Sequence, residues 1–115
     1  MEIKIGDITI PVRIAKSPNE IQKGMSNRVF SNFGGMFFIL KKDYTCFWMN
    51  DCVIPLDIIF IDEKFRIIDI FEDCQPCENE ECERFCSRGK YVLEVPSGFC
   101  KKNEIDLGLK IKLLY

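Results

Sequence analysis

Asp57-Ile58-Ile59-Phe60-Ile61-Asp62 is followed, after Glu63-Lys64, by Phe65-Arg66-Ile67-Ile68-Asp69-Ile70-Phe71. Both runs are strand-length and rich in β-branched and aromatic side chains, which suit a pleated, half-buried surface. The charged pair between them predicts a tight turn. Upstream, Ile3 and Ile5, then Ile8, Ile10, Val12 and Ile14, alternate with polar or small residues around Gly6-Asp7, the pattern of a hairpin. Ser17-Pro18-Asn19-Glu20 carries the signals of a helix start: a capping hydroxyl, a proline for the first turn and a glutamate three positions on. Gly24 supplies the stop, so one short helix is expected near residues 18–24. Gly34-Gly35 breaks the chain before a strand at Met36–Leu40, and a second strand covers about Thr45–Met49.

Downstream, residues 73–90 are polar, acidic and rich in Cys, and read as a long loop. Tyr91–Val95 is a strand ended by Pro96-Ser97-Gly98. Leu109, Ile111 and Leu113 alternate with Lys110 and Lys112, a last strand with one wet face. Many short strands at close spacing predict an all-β fold, a compact β-sandwich or partly closed barrel of mainly antiparallel strands. The 115 residues suit one domain spanning 1–115, with no repeat or linker.

Composition excludes several function classes. Net charge is −2, so there is no basic excess to neutralise phosphates and no nucleic-acid partner is expected. Apolar runs such as Ile58–Ile61 are strand-length, so no membrane span is expected. The N-terminus alternates apolar and charged residues without the apolar core of a signal peptide, which places the chain in the cytoplasm as written, or outside it if a precursor segment was removed. With no His, a Ser–His–Asp triad cannot form.

Seven cysteines pull against a reducing compartment. Cys74, Cys77, Cys82 and Cys86 lie within thirteen residues. Four convergent thiolates would hold zinc or an iron–sulfur cluster, but this spacing is tighter than two zinc knuckles. Disulfides are the leading reading, ahead of metal and of free thiols, with the connectivity left open. A pairing such as Cys77 with Cys82 would contribute about 2–3 kcal/mol through loop closure. No cofactor is expected beyond zinc at this loop. Cys46, Cys52 and Cys100 read as small core residues, though the odd total leaves at least one thiol unpaired. The acidic run Glu72, Asp73, Glu78, Glu80, Glu81 and Glu83 lacks the spacing of a calcium loop and reads as a solvated surface.

Five pieces in order resemble the domain of unknown function 192 family: Gly24 with Arg28, Gly35-Met36-Phe37-Phe38, Phe47-Trp48-Met49, Ile54-Pro55-Leu56-Asp57-Ile58-Ile59-Phe60-Ile61-Asp62, and Tyr91-Val92-Leu93-Glu94-Val95 with Gly98. Together they span nearly the whole chain. The resemblance implies a sandwich-like β domain with a short helix and implies no activity. Many relatives carry an export signal, and part of the family has a Cys pair like Cys77 and Cys82. Two segments depart from the pattern: Met25-Ser26 replaces Leu-Met, and Asn50-Asp51-Cys52 replaces Lys-Asn-Thr.

Pro55 cannot donate a ladder hydrogen bond, so the chain leaves the sheet near it. The irregular segment there holds Trp48, Met49, Asp51 and Asp57, and with Arg28 and Glu94 these residues form the candidate ligand site. Arg28 would clamp a carboxylate or phosphate. Glu94 alternates with Leu93 and Val95. It is simply wet if those two face the core, and it needs a partner, with Arg28 the candidate, if it faces inward itself. The plain alternative is structural, with Trp48 and Met49 filling core and Asp57 capping a turn. Three functions compete: non-catalytic binding of an unknown small molecule or protein, a carboxylate hydrolase built on Asp51, Asp57 and Glu94, and a structural or assembly protein stabilised by its Cys-rich loop.

Overall fold

The computed structural model describes residues 1–114. Strands β1 (Glu2–Ile5) and β2 (Ile8–Ala15) form the expected hairpin, and Gly6 takes the positive φ of 60° that its turn requires. Helix α1 (Pro18–Lys23) follows with its capping box complete. The Ser17 hydroxyl accepts from the Glu20 amide at 3.2 Å, and the Glu20 carboxylate accepts from the Ser17 amide at 2.9 Å. Gly24 ends the helix at φ 46°, ψ −127°, and a Cβ there would sit 3.3 Å from the Phe38 ring. The remaining elements are β3 (Gly35–Ile39), β4 (Tyr44–Phe47), β5 (Leu56–Ile61), β6 (Ile67–Cys74), β7 (Phe85–Arg88), β8 (Tyr91–Pro96), α2 (Phe99–Lys102) and β9 (Ile111–Leu114).

Seven strands form one sheet in the order β6-β5-β8-β3-β2-β1-β9, and β4 pairs with β7 in a separate ribbon. Only β2 and β3 run parallel, with α1 in the crossover between them. The large sheet curls until its two edge strands approach each other at one corner. There the Ile67 amide donates to the Leu109 carbonyl at 2.9 Å and the Ile111 amide to the Phe65 carbonyl at 2.8 Å. The result is a partly closed barrel rather than a flat two-sheet sandwich.

Both faces of the sheet are covered. Ile3, Ile5, Phe37, Ile59, Ile61, Leu93 and Val95 face one core, which Cys100 and Ile105 of the α2 region help fill. Met36, Phe38, Leu56, Ile58, Phe60 and Val92 face a second core, roofed by Met25, Phe47 and Met49. Strands β3 and β5 are buried almost throughout, the pattern of a strand with no wet face.

Three expectations need correction. The turn after β5 is longer than two residues, because Asp62 Oδ1 accepts from the amides of both Lys64 and Arg66 at 2.9 Å and delays β6 to Ile67. Residues 73–90 are not one loop: β6 continues to Cys74, and Phe85–Arg88 is a strand. A second short helix, α2, follows Gly98.

The four cysteines of the 74–86 region do not converge. Cys77 bonds to Cys82, as weighed from the sequence, but Cys86 bonds to Cys46 across directly paired positions of β7 and β4. Cys74 is buried as a free thiol, with Cys52 and Cys100 also free. Among the described residues, no three Cys, Asp or Glu side chains are grouped so as to hold a metal ion. The four thiols, for which disulfides are the leading reading and zinc the alternative, are distributed between two staples and a core residue.

Loop-closure entropy scales with the span closed. The Cys46–Cys86 bond, at a separation of 40 residues, should stabilise by about 4 kcal/mol, and Cys77–Cys82, at a separation of 5, by about 2 kcal/mol. Guanidinium denaturation of C46S/C86S and C77S/C82S variants should rank them in that order, and equal losses would contradict the assignment.

Candidate functional site

Strand β8 places Glu94. Leu93 and Val95 face the first core, so residue 94 turns to the second with Val92. Its register neighbours are Met36 on β3 and Ile58 on β5, both apolar. Glu94 is 3% exposed, and among the described residues no side chain or amide donates to its carboxyl. Burial alone pushes its pKa up to about 8, so the group is mainly a neutral carboxylic acid at pH 7.

Above this acid lies a cavity of about 200 Å³. Its walls come from the end of α1 and the turn after it (Ile21 to Ser26), from Phe38, from Thr45 to Phe47 of β4 and from Trp48 just beyond it, with Cys52 beside them. The turn is held in place by a second strip of chain. Ser26 bridges Cys52, the Ser26 hydroxyl donates to the Asn50 carbonyl at 3.0 Å, and the Asn27 amide donates to the Asp51 carbonyl at 2.8 Å. Asn50 also anchors the Cys-rich loop, its Oδ1 accepting from the Asn79 amide at 2.7 Å. Here the departure from the family pattern at residues 50–52 has a structural job.

Trp48 is 37% exposed and stands at the rim. Arg84 lies over its ring, 4.1 Å from the centroid, while donating to the Cys82 carbonyl at 3.0 Å. The stapled loop thereby fixes the indole through a cation–π contact. Cys52 offers no reactive thiolate, since burial above all pushes its thiol up to about 12.

The six candidate residues therefore separate. Trp48 and Glu94 share the cavity. Met49 is fully buried in the second core. Asp51 is exposed in a left-handed turn at φ 60°, away from the lining. Asp57 is fully buried, accepting from the amides of Asp73 at 2.9 Å, Cys100 at 3.0 Å and Gly98 at 3.4 Å. It caps the start of α2 and ties it to the end of β6, the structural alternative drawn from the sequence. Arg28 lines a different cavity, beyond Gly24, and forms no ion pair with Glu94. Of the three carboxylates considered for hydrolysis, only Glu94 lines this cavity, so the paired geometry is not assembled there.

Ser26, Phe38, Thr45, Phe47 and Cys52 were not named as site residues from the sequence, nor was Arg84. One signal was available: the unbroken apolar run of β5 and β3 indicates two covered faces, and in such a sheet neither side of β8 is wet.

Two outcomes separate the carboxylates. Replacing Asp57 with Asn would set an amide donor among three backbone donors, and D57N should lose about 1–3 kcal/mol in urea denaturation with the Glu94 cavity unchanged. Glu94 has a folded-state pKa above the ordinary 4.5, so the folded chain holds a proton that the unfolded chain has released. Its contribution is complete below about pH 4.5 and is lost as pH rises toward about 8. Relative to wild type, E94Q should become more stable across that window by a few kcal/mol, levelling off above it. A difference that does not vary with pH would contradict this.

Comparison with known proteins places the chain among uncharacterised relatives. The DUF192 family profile, described as an uncharacterised ACR, matches residues 1–113. A Novosphingobium aromaticivorans protein of unknown function superposes with a TM-score of 0.85 at 25% identity, over 97% of this chain and 84% of that one. A Sinorhizobium meliloti protein described as a candidate transcription regulator superposes with a TM-score of 0.85 at 24% identity, over 96% of this chain and 89% of the other. No curated protein matches the chain.

Proposed function

This chain belongs to the DUF192 family, and from that premise we propose that it is a single, non-catalytic domain that binds a small molecule in the cavity over Glu94. One observation carries the reading: a carboxyl group 3% exposed, without a protein partner, forms part of the wall of a cavity that mixes aromatic rings with polar side chains. A carboxyl held in an apolar layer, with no protein partner and only the cavity to face, is costly to keep there. A ligand group that pairs with it recovers that cost.

The chemistry narrows the ligand. A neutral carboxylic acid offers one O–H donor and one carbonyl acceptor side by side. Its complement is a group that presents an acceptor next to a donor, such as a primary amide or a pair of sugar hydroxyls. Phe38, Phe47 and the Trp48 ring supply apolar contact for a small ring, and Ser26 and Thr45 add hydroxyls. The volume, about 200 Å³, holds a ring with few substituents. The two disulfides favour an oxidising compartment. No helix among the described residues is long and apolar enough to cross a membrane.

Trp48 is the sole tryptophan, so its fluorescence reports on this rim alone. Benzamide and a methyl hexoside, titrated at millimolar concentration, should shift amide resonances of residues 22–26, 45–48 and 94 and perturb that fluorescence. E94Q should keep binding at pH 6, while E94L and W48A lose it. Shifts scattered over the surface, or equal binding by E94L, would remove the proposal.

A further inference from the structure

On the far side of Gly24 from the Glu94 cavity lies a second recess of about 170 Å³. Arg13 from β2, Lys23 from α1 and Arg28 from the segment after it all line the recess, with Asn19 and Glu20. Three cationic side chains meet there in a chain whose net charge is −2. None of the three forms a salt bridge: the one ion pair among the described residues joins Arg66 to Asp62.

Glu20 is the obvious counter-charge, but its carboxylate is already committed. It accepts from the amides of Lys16 at 3.2 Å and Ser17 at 2.9 Å, closing the capping box that starts α1. The hydrogen bonds from Ser17 and Lys16 hold its carboxyl below the usual range, and the charge of Arg13 is the least of the influences that do so. The local balance is three positive groups against one spent negative group.

Arg28 adds an independent observation. Its Nε is shielded from solvent and has no hydrogen-bond partner. A guanidinium N–H removed from water without an acceptor is costly, and guanidinium geometry is matched by two oxygens of one oxyanion. The Arg28 backbone is fixed by its amide donating to the Met25 carbonyl at 3.1 Å, after Asn27 in a left-handed conformation at φ 57°. Arg13 and Lys23 are exposed, so they stand at the mouth, with half-buried Arg28 behind them.

We propose that this recess binds a small oxyanion of the phosphate class, with the guanidinium of Arg28 as the forked contact and Arg13 and Lys23 as the charges that draw the anion in. The site is separate from the Glu94 cavity, sharing with it only the Lys23–Gly24 wall, and the proposal does not depend on a ligand binding there.

The test is titration of the whole chain with inorganic phosphate at constant ionic strength, with chloride and acetate as controls, followed by amide shifts and melting temperature. Phosphate should produce saturable shifts confined to residues 13, 19–28 and 36 and a rise in melting temperature that chloride does not reproduce. Saturation by acetate at equal concentration would assign the recess to carboxylates and overturn the phosphate assignment. R13A and K23A alter exposed side chains and should fold normally. Each should weaken phosphate binding about fivefold or more, the effect of losing one close charge. R28K keeps the charge but loses the fork, and should weaken binding more than either. Should R28K fail to fold, R13A and K23A still decide the matter. Shifts that follow ionic strength alone, or phosphate binding unchanged in R13A and K23A, would overturn the proposal.

Discussion

A strand buried at every position needs both faces of its sheet covered, and β5 is buried from Leu56 to Ile61. That single requirement organises the molecule. The period of two along each strand sorts neighbours into opposite cores: Ile59 and Ile61 to the interior of the curl, Ile58 and Phe60 to the layer beneath α1 and the β4–β7 ribbon. The same rule acts on β8, where Leu93 and Val95 go one way and Val92 and Glu94 the other. Glu94 is thus held in an apolar layer by the geometry of its strand, with the cavity above it.

The covering layer is small and needs help. α1 has only six residues and buries none of them fully, so it cannot act as a helix packed in its own right. It is tied down by its capping box, by the sharp turn at Gly24 and by the Ser26–Cys52 bridge. The β4–β7 ribbon is likewise only four residues long on each side, and its disulfide closes the pair covalently. From there the second staple and Arg84 hold Trp48 at the rim. The scaffold is dense, while the lid over the acid is made from short pieces joined by specific bonds.

This division explains what could be read in the chain. The hairpin at Gly6, the capping box at Ser17–Glu20 and the strands at 36–39 and 91–95 each carry a local signal, and each is where that signal puts it. So is the Cys77–Cys82 pairing, whose partners are five residues apart. The Cys46–Cys86 bond joins positions 40 residues apart, and β7 is a strand only because β4 pairs with it, so no local pattern announces either. The candidate site was half legible for the same reason. Trp48 and Glu94 meet, but Asp57, adjacent to the Pro55-Leu56 break, is consumed by three backbone amides that come from residues 73, 98 and 100. Treating the sheet as having one wet face hid the position of Glu94; treating both faces as covered reveals it.

The corner where β6 meets β9 has a consequence for how copies of this chain behave at high concentration. Open sheets expose rows of unpaired backbone groups at both ends, which can recruit another chain and seed fibrils. Here those two ends are turned toward each other and share hydrogen bonds around Ile67 and Leu109. The free remainder of β9 includes Lys112, a charge that discourages a docking strand. Curling the sheet therefore does more than enclose a core: it removes much of the template for runaway edge-to-edge growth in a chain that is 47% hydrophobic.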